Sequence, residues 1–345
     1  MTQTFHVGMI GWGLAGRYFH APFVQAVAGL QLTAVATSRD IDSTLFPGVA
    51  REASAEALIA RPDIDMVIIA SPNRLHLAQA TAVLQAGKHV IIEKPVTETA
   101  AEWYHLIQLA QTQNRLLIPF QNRRWDGDFQ TVRQLVHSGQ LGNIHYYASH
   151  WPKYRPTVPQ RATWKSIPDP TSGLLYDLGP HLIDQALVLF GVPHSVFARV
   201  AQNRPGSPSD DFLHLELRYR SGLVVVLQVD ELNPFAPPRY EVRGALGAFR
   251  KYGLDPQEPA LVGGAFPQGD DWGQEPESDW GILVQNGVET AVPTLPGDYR
   301  PFYQSVAAAM AGSGPGPIPP EEILPQLNII AAARESTYSG QAVSI

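Results

Sequence analysis

Residues 5–16 read FHVGMIGWGLAG. A mostly apolar run is followed at once by Gly11-x-Gly13-x-x-Gly16. The next stretch, AGRYFHAPFVQAVAG (15–29), has a helical pattern with one proline in it. The glycine pattern alone is a weak signal. Between a strand and a helix it opens a βαβ unit that holds a pyrophosphate. Gly11 allows the tight turn, Gly13 lets the backbone approach the phosphates, and Gly16 lets the helix pack on the strand. Trp12, Leu14 and Ala15 complete the loop, and the helix start offers free N–H groups to an anion. A glycine-rich turn without a ligand is the alternative.

The pattern continues outward. LQLTAVAT (30–37), DMVIIAS (65–71), KHVIIEK (88–94) and RLLIPF (115–120) read as further strands. Helical stretches lie between them, one of them announced by a Thr99-x-x-Glu102 capping box. Continuous apolar strands alternating with helices predict a parallel sheet covered on both faces. The expected fold class is α/β, with a Rossmann domain over 1–121.

Ligands of such sheets sit beyond the C-terminal strand ends. Those ends carry Thr37-Ser38-Arg39, then Ser71-Pro72-Asn73 with His76, then Glu93-Lys94-Pro95, then Gln121-Asn122. Hydroxyls and a guanidinium after the second strand suit the 2′-phosphate of NADP. Asp40 keeps NAD open as the competing cofactor. Lys94 directly after a buried run faces the crevice, although a plain charge pair with Glu93 would explain it too.

After Phe120 the rhythm changes. FQTVRQLVHSG (129–139) is helical and IHYYASHW (144–151) a strand. SVFARVAQ, FLHLELRY, GLVVVLQVD and RYEVRG follow between 195 and 244 without intervening helices, which predicts a mostly antiparallel sheet in an α+β domain over 122–345. Residues 253–300, dense in Gly, Pro, Asp and Glu, read as long surface loops. A closing helix at about 319–338 is expected to pack back toward the first domain.

Within the second domain, YDLGPHLIDQALVLF (176–190) places Asp177 and His181 at the front of an otherwise apolar helix. Pro180 suits a first helical turn, so the helix begins near Gly179. A histidine there is kept neutral by the positive helix end and can accept a proton, with Asp177 orienting it. Asp177 as a simple cap and His181 as a satisfied core residue is the plainer reading. A metal site with Asp184 is a third, but zinc usually recruits more His or Cys, so no metal is expected.

The chain has 345 residues, 44% hydrophobic and 17% charged, a net charge of −7 and no cysteine. Disulfides, Cys-zinc sites and thiol nucleophiles are excluded. The charge argues against nucleic acid as a partner. No apolar run reaches the roughly 20 residues of a membrane span. No signal-peptide pattern is read at the start, so a cytoplasmic location is expected.

These residues resemble the glucose–fructose oxidoreductase, inositol dehydrogenase and MocA (Gfo/Idh/MocA) family. GWGLAG, SPNRLH (71–76), EKP (93–95) and the Asp-x-x-x-His of 177–181 carry the likeness. NRRWDGDF (122–129), YDLGPHLIDQAL, KYGLDPQE (251–258) and PTLPGDYRPFY (293–303) make it most similar to the bacterial branch of NADP-dependent scyllo-inositol dehydrogenases. The resemblance implies catalytic roles for Lys94, Asp177 and His181. It implies a polyol or sugar substrate, and a homodimer or homotetramer formed through the exposed face of the C-terminal sheet. HWPKYRP (150–156) and ATWKSI (162–167) depart from the branch pattern and leave the substrate's identity open. Candidate pocket residues are Arg123, Arg124, Trp125, Trp151, Tyr154, Arg155, Trp164 and Tyr176, which offer hydrogen bonds and aromatic faces. A non-catalytic NADP-binding sensor, a glycoside-cleaving enzyme that recycles NAD internally, and a metal enzyme are the rival expectations.

Overall fold

The computed structural model describes residues 3–158 and 169–345. The chain divides into two units. The first takes residues up to 122 with 257–272 and 298–324, and the second takes 123–256, 273–297 and 325–345.

In the first unit six parallel strands form one sheet. They are β1 (Phe5–Ile10), β2 (Leu30–Ala36), β3 (Ala50–Glu52), β4 (Met66–Ile69), β5 (His89–Glu93) and β6 (Leu117–Phe120). Their order is β3-β2-β1-β4-β5-β6, so the topology reverses direction at β1. Strands β4 and β6 are buried along their whole length, as expected for a sheet covered on both faces. The edge strand β3 has only three residues and no apolar signature, which is why pattern reading passes over it. The capping box forms as expected: the Thr99 hydroxyl accepts from the Glu102 N–H, and the Glu102 carboxylate accepts from the Thr99 N–H.

In the second unit nine strands form a mixed sheet. After β7 (Ile144–Pro152) come β8 (Ser195–Ala201), β9 (Phe212–Arg218), β10 (Val224–Asp230), β11 (Tyr240–Gly244) and β12 (Ala248–Lys251). The hairpin β13 (Gly281–Gln285) and β14 (Val288–Val292) and the short β15 (Val343–Ser344) complete it. Every neighbouring pair is antiparallel except β7 with β10. Burial alternates along β9 and β10. Their inward residues, Leu213, Leu215, Leu217, Val225, Leu227 and Val229, share a core with residues of three helices: 127–137, 179–190 and 323–339.

Three expectations change here. Residues 253–300 are not all loops: they hold the helix Gln257–Val262 and the β13–β14 hairpin. Its two-residue turn, Asn286-Gly287, has positive φ at both positions, the turn geometry that Asn-Gly favours. The dipeptide is the available signal, hidden in a polar segment. Secondly, 257–272 and 298–324 belong with the first unit. Aromatic contacts explain this: Phe302 and Tyr303 pack on Phe120, while Tyr299 and Trp272 pack on Phe23. Thirdly, the closing helix Ile323–Ser339 belongs with the second unit rather than the first from residue 325 onward: Ile329, Ile330 and Ala333 sit in the second unit's core.

Candidate active site

The loops after β1, β2, β4, β5 and β6 leave one edge of the parallel sheet, and the predicted cofactor residues lie on them or on the residues that flank them, such as Glu93 at the end of β5 and His76 at the start of the helix 76–85. Gly11 has φ +102°, and a Cβ on it would collide with the Ala70 carbonyl oxygen of the loop after β4. A Cβ on Gly16 would collide with the Gly11 carbonyl oxygen and crowd Met9. Gly13 alone opens into free space. Each glycine therefore meets the requirement that a pyrophosphate cradle places on it, and the site fits a dinucleotide. The helix that follows begins with a π-helical turn, Ala15–His20, and continues as an α-helix over Ala21–Ala26.

Arg39 and Asp40 have different partners. The Arg39 guanidinium donates to the Trp12 carbonyl oxygen at 3.2 Å, which holds it against the glycine loop. Its own N–H donates to the Thr37 hydroxyl at 3.0 Å. The Asp40 carboxylate is fully exposed and pairs with Arg51 at 3.1 Å. Trp12 is buried and packs edge-on against Phe46. Leu14 is exposed at the loop tip. Ser38 is exposed and Thr37 half-buried.

Two predicted cofactor residues do internal work instead. His76 is fully buried; its Nδ1 lies 2.8 Å from the Pro95 carbonyl oxygen and its Nε2 3.0 Å from that of Ser71. It ties the loop after β4 to the loop after β5, and burial pushes its pKa down. Glu93 accepts from the Lys94 N–H at 3.0 Å and faces His20 at 3.2 Å. Burial would raise the Glu93 carboxyl, but His20 and Lys94 outweigh it and hold the group below its usual range. The Ser71 hydroxyl donates to Gln79 at 2.6 Å. Pro72 leads into a short 3-10 turn that begins at Asn73. Gln121 and Asn122 are buried directly after β6. Lys94 is half-buried.

In the second unit the helix runs Gly179–Phe190 with Pro180 in its first turn, as the sequence predicts. Asp177 ends the preceding short helix, Leu174–Asp177. That helix is held by Asp210, whose carboxylate accepts from the Leu175 N–H at 2.9 Å. Gly173, with φ +89°, leaves no room for a Cβ beside that carboxylate. His181 is buried, and its ring stacks on Trp151 with centroids 6.1 Å apart and planes 26° apart. Gln326 of the closing helix donates to the Pro180 carbonyl oxygen at 2.6 Å. The residue at the cap position of this helix is Leu178, whose side chain makes no capping bond.

The pocket candidates separate. Arg124 makes a bidentate pair with Asp184, both bonds 2.8 Å, so it is engaged by protein rather than held for a ligand. The same pair engages the Asp184 carboxylate, and no group of three or more His, Asp or Glu side chains suited to a metal ion is found among the described residues. Tyr176 is buried beneath the Arg334 guanidinium. Trp151 is buried under the guanidinium groups of Arg123 and Arg239, at 5.1 and 4.9 Å. It is a wall behind His181. Arg123 pairs with Asp126 at 3.5 Å. Trp125 is half-buried, and Tyr154 and Arg155 are exposed. Trp164 and the stretch ATWKSI lie outside the described residues.

Sequence reading misses Arg239 and Gln185. The buried Arg239 donates to the Ser149 hydroxyl at 2.6 Å and to Gln185 at 3.1 Å. Gln185 donates in turn to the Arg123 carbonyl oxygen at 3.0 Å. Gln185 follows His181 by one turn, so this network sets the helix's rotation. A glutamine in an apolar helix at that spacing is the only hint.

Comparison with known proteins agrees with this architecture. Residues 5–120 match the model of the oxidoreductase family with an NAD-binding Rossmann fold, and residues 129–250 match the GFO/IDH/MocA C-terminal domain. The chain is 37% identical to the uncharacterized oxidoreductase YdgJ of Escherichia coli, with 97% of each chain covered. It is 36% identical to the NADP(+) scyllo-inositol 2-dehydrogenase IolW of Bacillus subtilis, over 99% of this chain and 96% of that one. Its fold is similar to the solved structure of yvaA from Bacillus subtilis, with a TM-score of 0.95 at 35% identity over 100% and 99% of the two chains. The protein is an NAD(P)-binding oxidoreductase, and it belongs to the Gfo/Idh/MocA family. Among the described residues no helix is long and apolar enough to cross a membrane.

Proposed function

We propose that the protein transfers hydride between a secondary alcohol of a cyclic polyol or sugar, of the scyllo-inositol type, and NADP. The observation that carries the cofactor choice is Arg39, held against the glycine loop while Asp40 is turned to solvent and Arg51. A guanidinium and two hydroxyls at that tip suit a phosphate dianion. Similarity to the scyllo-inositol 2-dehydrogenase IolW supports the substrate class.

The nicotinamide, when bound, supplies the hydride acceptor or donor. His181 takes the hydroxyl proton as general base. Lys94, as an ammonium, stabilises the developing alkoxide. Asp177 orients the histidine and balances the imidazolium once it forms. Trp125, Tyr154, Arg155 and Trp164 remain the substrate-contact candidates. The face of the nine-stranded sheet that the helices leave uncovered presents Phe197, Phe212, Val224 and Val226, each half-buried, and is the proposed surface for a homodimer or homotetramer.

Thermal shift tests the cofactor assignment, because a ligand that binds the native state raises its apparent stability. NADP is expected to raise the melting temperature more than NAD does. Arg39→Ala should weaken NADP binding about tenfold or more and leave NAD nearly unchanged, in line with the loss of a charge-assisted phosphate contact. A larger shift with NAD in the unaltered protein would overturn the assignment.

A further inference from the structure

Behind Lys94 the first unit buries three polar side chains from distant parts of the chain. His20 and Tyr303 are completely buried, and Glu93 nearly so. Their surroundings are aromatic: His20 lies 4.2 Å from the Phe120 ring centroid, and Tyr303 stacks on Phe23.

The hydrogen bonds define the protons. The Tyr303 hydroxyl has one proton and donates it to the Phe19 carbonyl oxygen at 3.0 Å. Its oxygen therefore accepts from His20 Nδ1, 2.7 Å away. His20 Nε2 faces Glu93 Oε1 at 3.2 Å, and the carboxylate accepts there. Both ring nitrogens of His20 thus have a buried partner, one the Tyr303 oxygen and the other the Glu93 carboxylate. The other oxygen, Oε2, accepts the Lys94 N–H at 3.0 Å. The series ends on the backbone of the lysine.

A buried ion pair is weak evidence for stability, since desolvation offsets most of the attraction. Apolar side chains of similar volume would fill the space at least as well. What this pair adds is direction. It fixes the peptide from which the Lys94 side chain departs, and it does so from the helix that leaves the phosphate cradle.

We propose that His20, Glu93 and Tyr303 are positioning residues that hold Lys94 in its reacting geometry. The proposal rests on the assignment of Lys94 to the reaction given above. A misplacement of about 1 Å in a reacting group can cost on the order of a hundredfold in rate. The groups that face the Glu93 carboxylate are His20, Lys94, Tyr303 and, through its charge, His76.

The test uses the full-length protein with NADP and the polyol on which it turns over. His20→Gln and Tyr303→Phe are expected to lower kcat by about tenfold to a hundredfold while the Kd for NADP stays within about twofold, since neither residue reaches the glycine loop. Tyr303→Phe removes one hydroxyl and keeps the ring packing, so it reports even if His20→Gln does not fold. Glu93→Gln supplies a readout that a purely structural role would not move. With the bond to the Lys94 N–H weakened, kcat should fall about tenfold or more while the KM for NADP stays within about twofold, the split expected for a group that acts on the reacting geometry and not on binding. Wild-type kcat in both Tyr303→Phe and Glu93→Gln, beside an inactive Lys94→Ala, would overturn this proposal and leave the role of Lys94 standing. An active Lys94→Ala would overturn the role of Lys94 itself.

Discussion

Lys94→Ala and His181→Ala are each expected to lower kcat by about 10²- to 10⁴-fold, the range for losing a positioned acid or base, and each is expected still to bind NADP. Binding is expected to survive because the proposed cradle is built from Gly11, Gly13, Gly16 and Arg39, which neither substitution alters. His181→Ala is expected to leave Asp177 in place, since the short helix that carries it is held by the Asp210 carboxylate. If the ammonium and the imidazole serve one proton transfer, their effects are not additive. The double variant then loses little more than the worse single variant. Steady-state kinetics together with cofactor titration checks both points. Wild-type-like turnover from either single variant contradicts the assignment.

The second large effect is on stability. The Arg124 and Asp184 side chains are 13% and 3% exposed and joined by two short bonds. Removing one partner of a buried pair strands the other charge, at a cost of about 3–5 kcal/mol. Arg124→Met should show a loss of that size in denaturant unfolding. Adding Asp184→Leu should restore most of it, because an apolar pair can replace a buried ionic one. Asp184 lies one turn beyond His181, so the pair also fixes the helix that carries His181. A loss below about 1 kcal/mol in Arg124→Met, the level of an exposed pair, would show that the pair does not hold this helix.

The legibility of the two halves differs for physical reasons. In the Rossmann unit, strand period, glycine spacing and capping box all point the same way, and local pattern determines local structure. Gly11, Gly13 and Gly16 each take a role from their spacing alone, and the contacts a Cβ would make agree with those roles. The β13–β14 hairpin escapes pattern reading because its outer strand is exposed and reads as polar. The return of residues 298–324 to the first unit depends on Phe302 and Tyr303 meeting rings nearly two hundred residues or more away in sequence. No local period records such contacts. The pocket arginines mislead for a related reason. Arg124 has the same composition signal whether it meets a sugar or Asp184, and only the fold reveals which partner it has. His20 goes unnoticed in the sequence because a histidine inside a helical run looks like any core residue until Glu93 and Tyr303 are brought beside it.

We propose hydride transfer from a polyol to NADP with His181 as base. Its most direct measurement is the rise in reduced-nicotinamide absorbance when the protein is mixed with NADP and each of a panel of inositols and aldoses. The expected result is NADPH formation with at least one cyclic polyol or sugar, faster than with NAD, and lost in His181→Ala. NADP that binds but is not reduced with any member of the panel would contradict it.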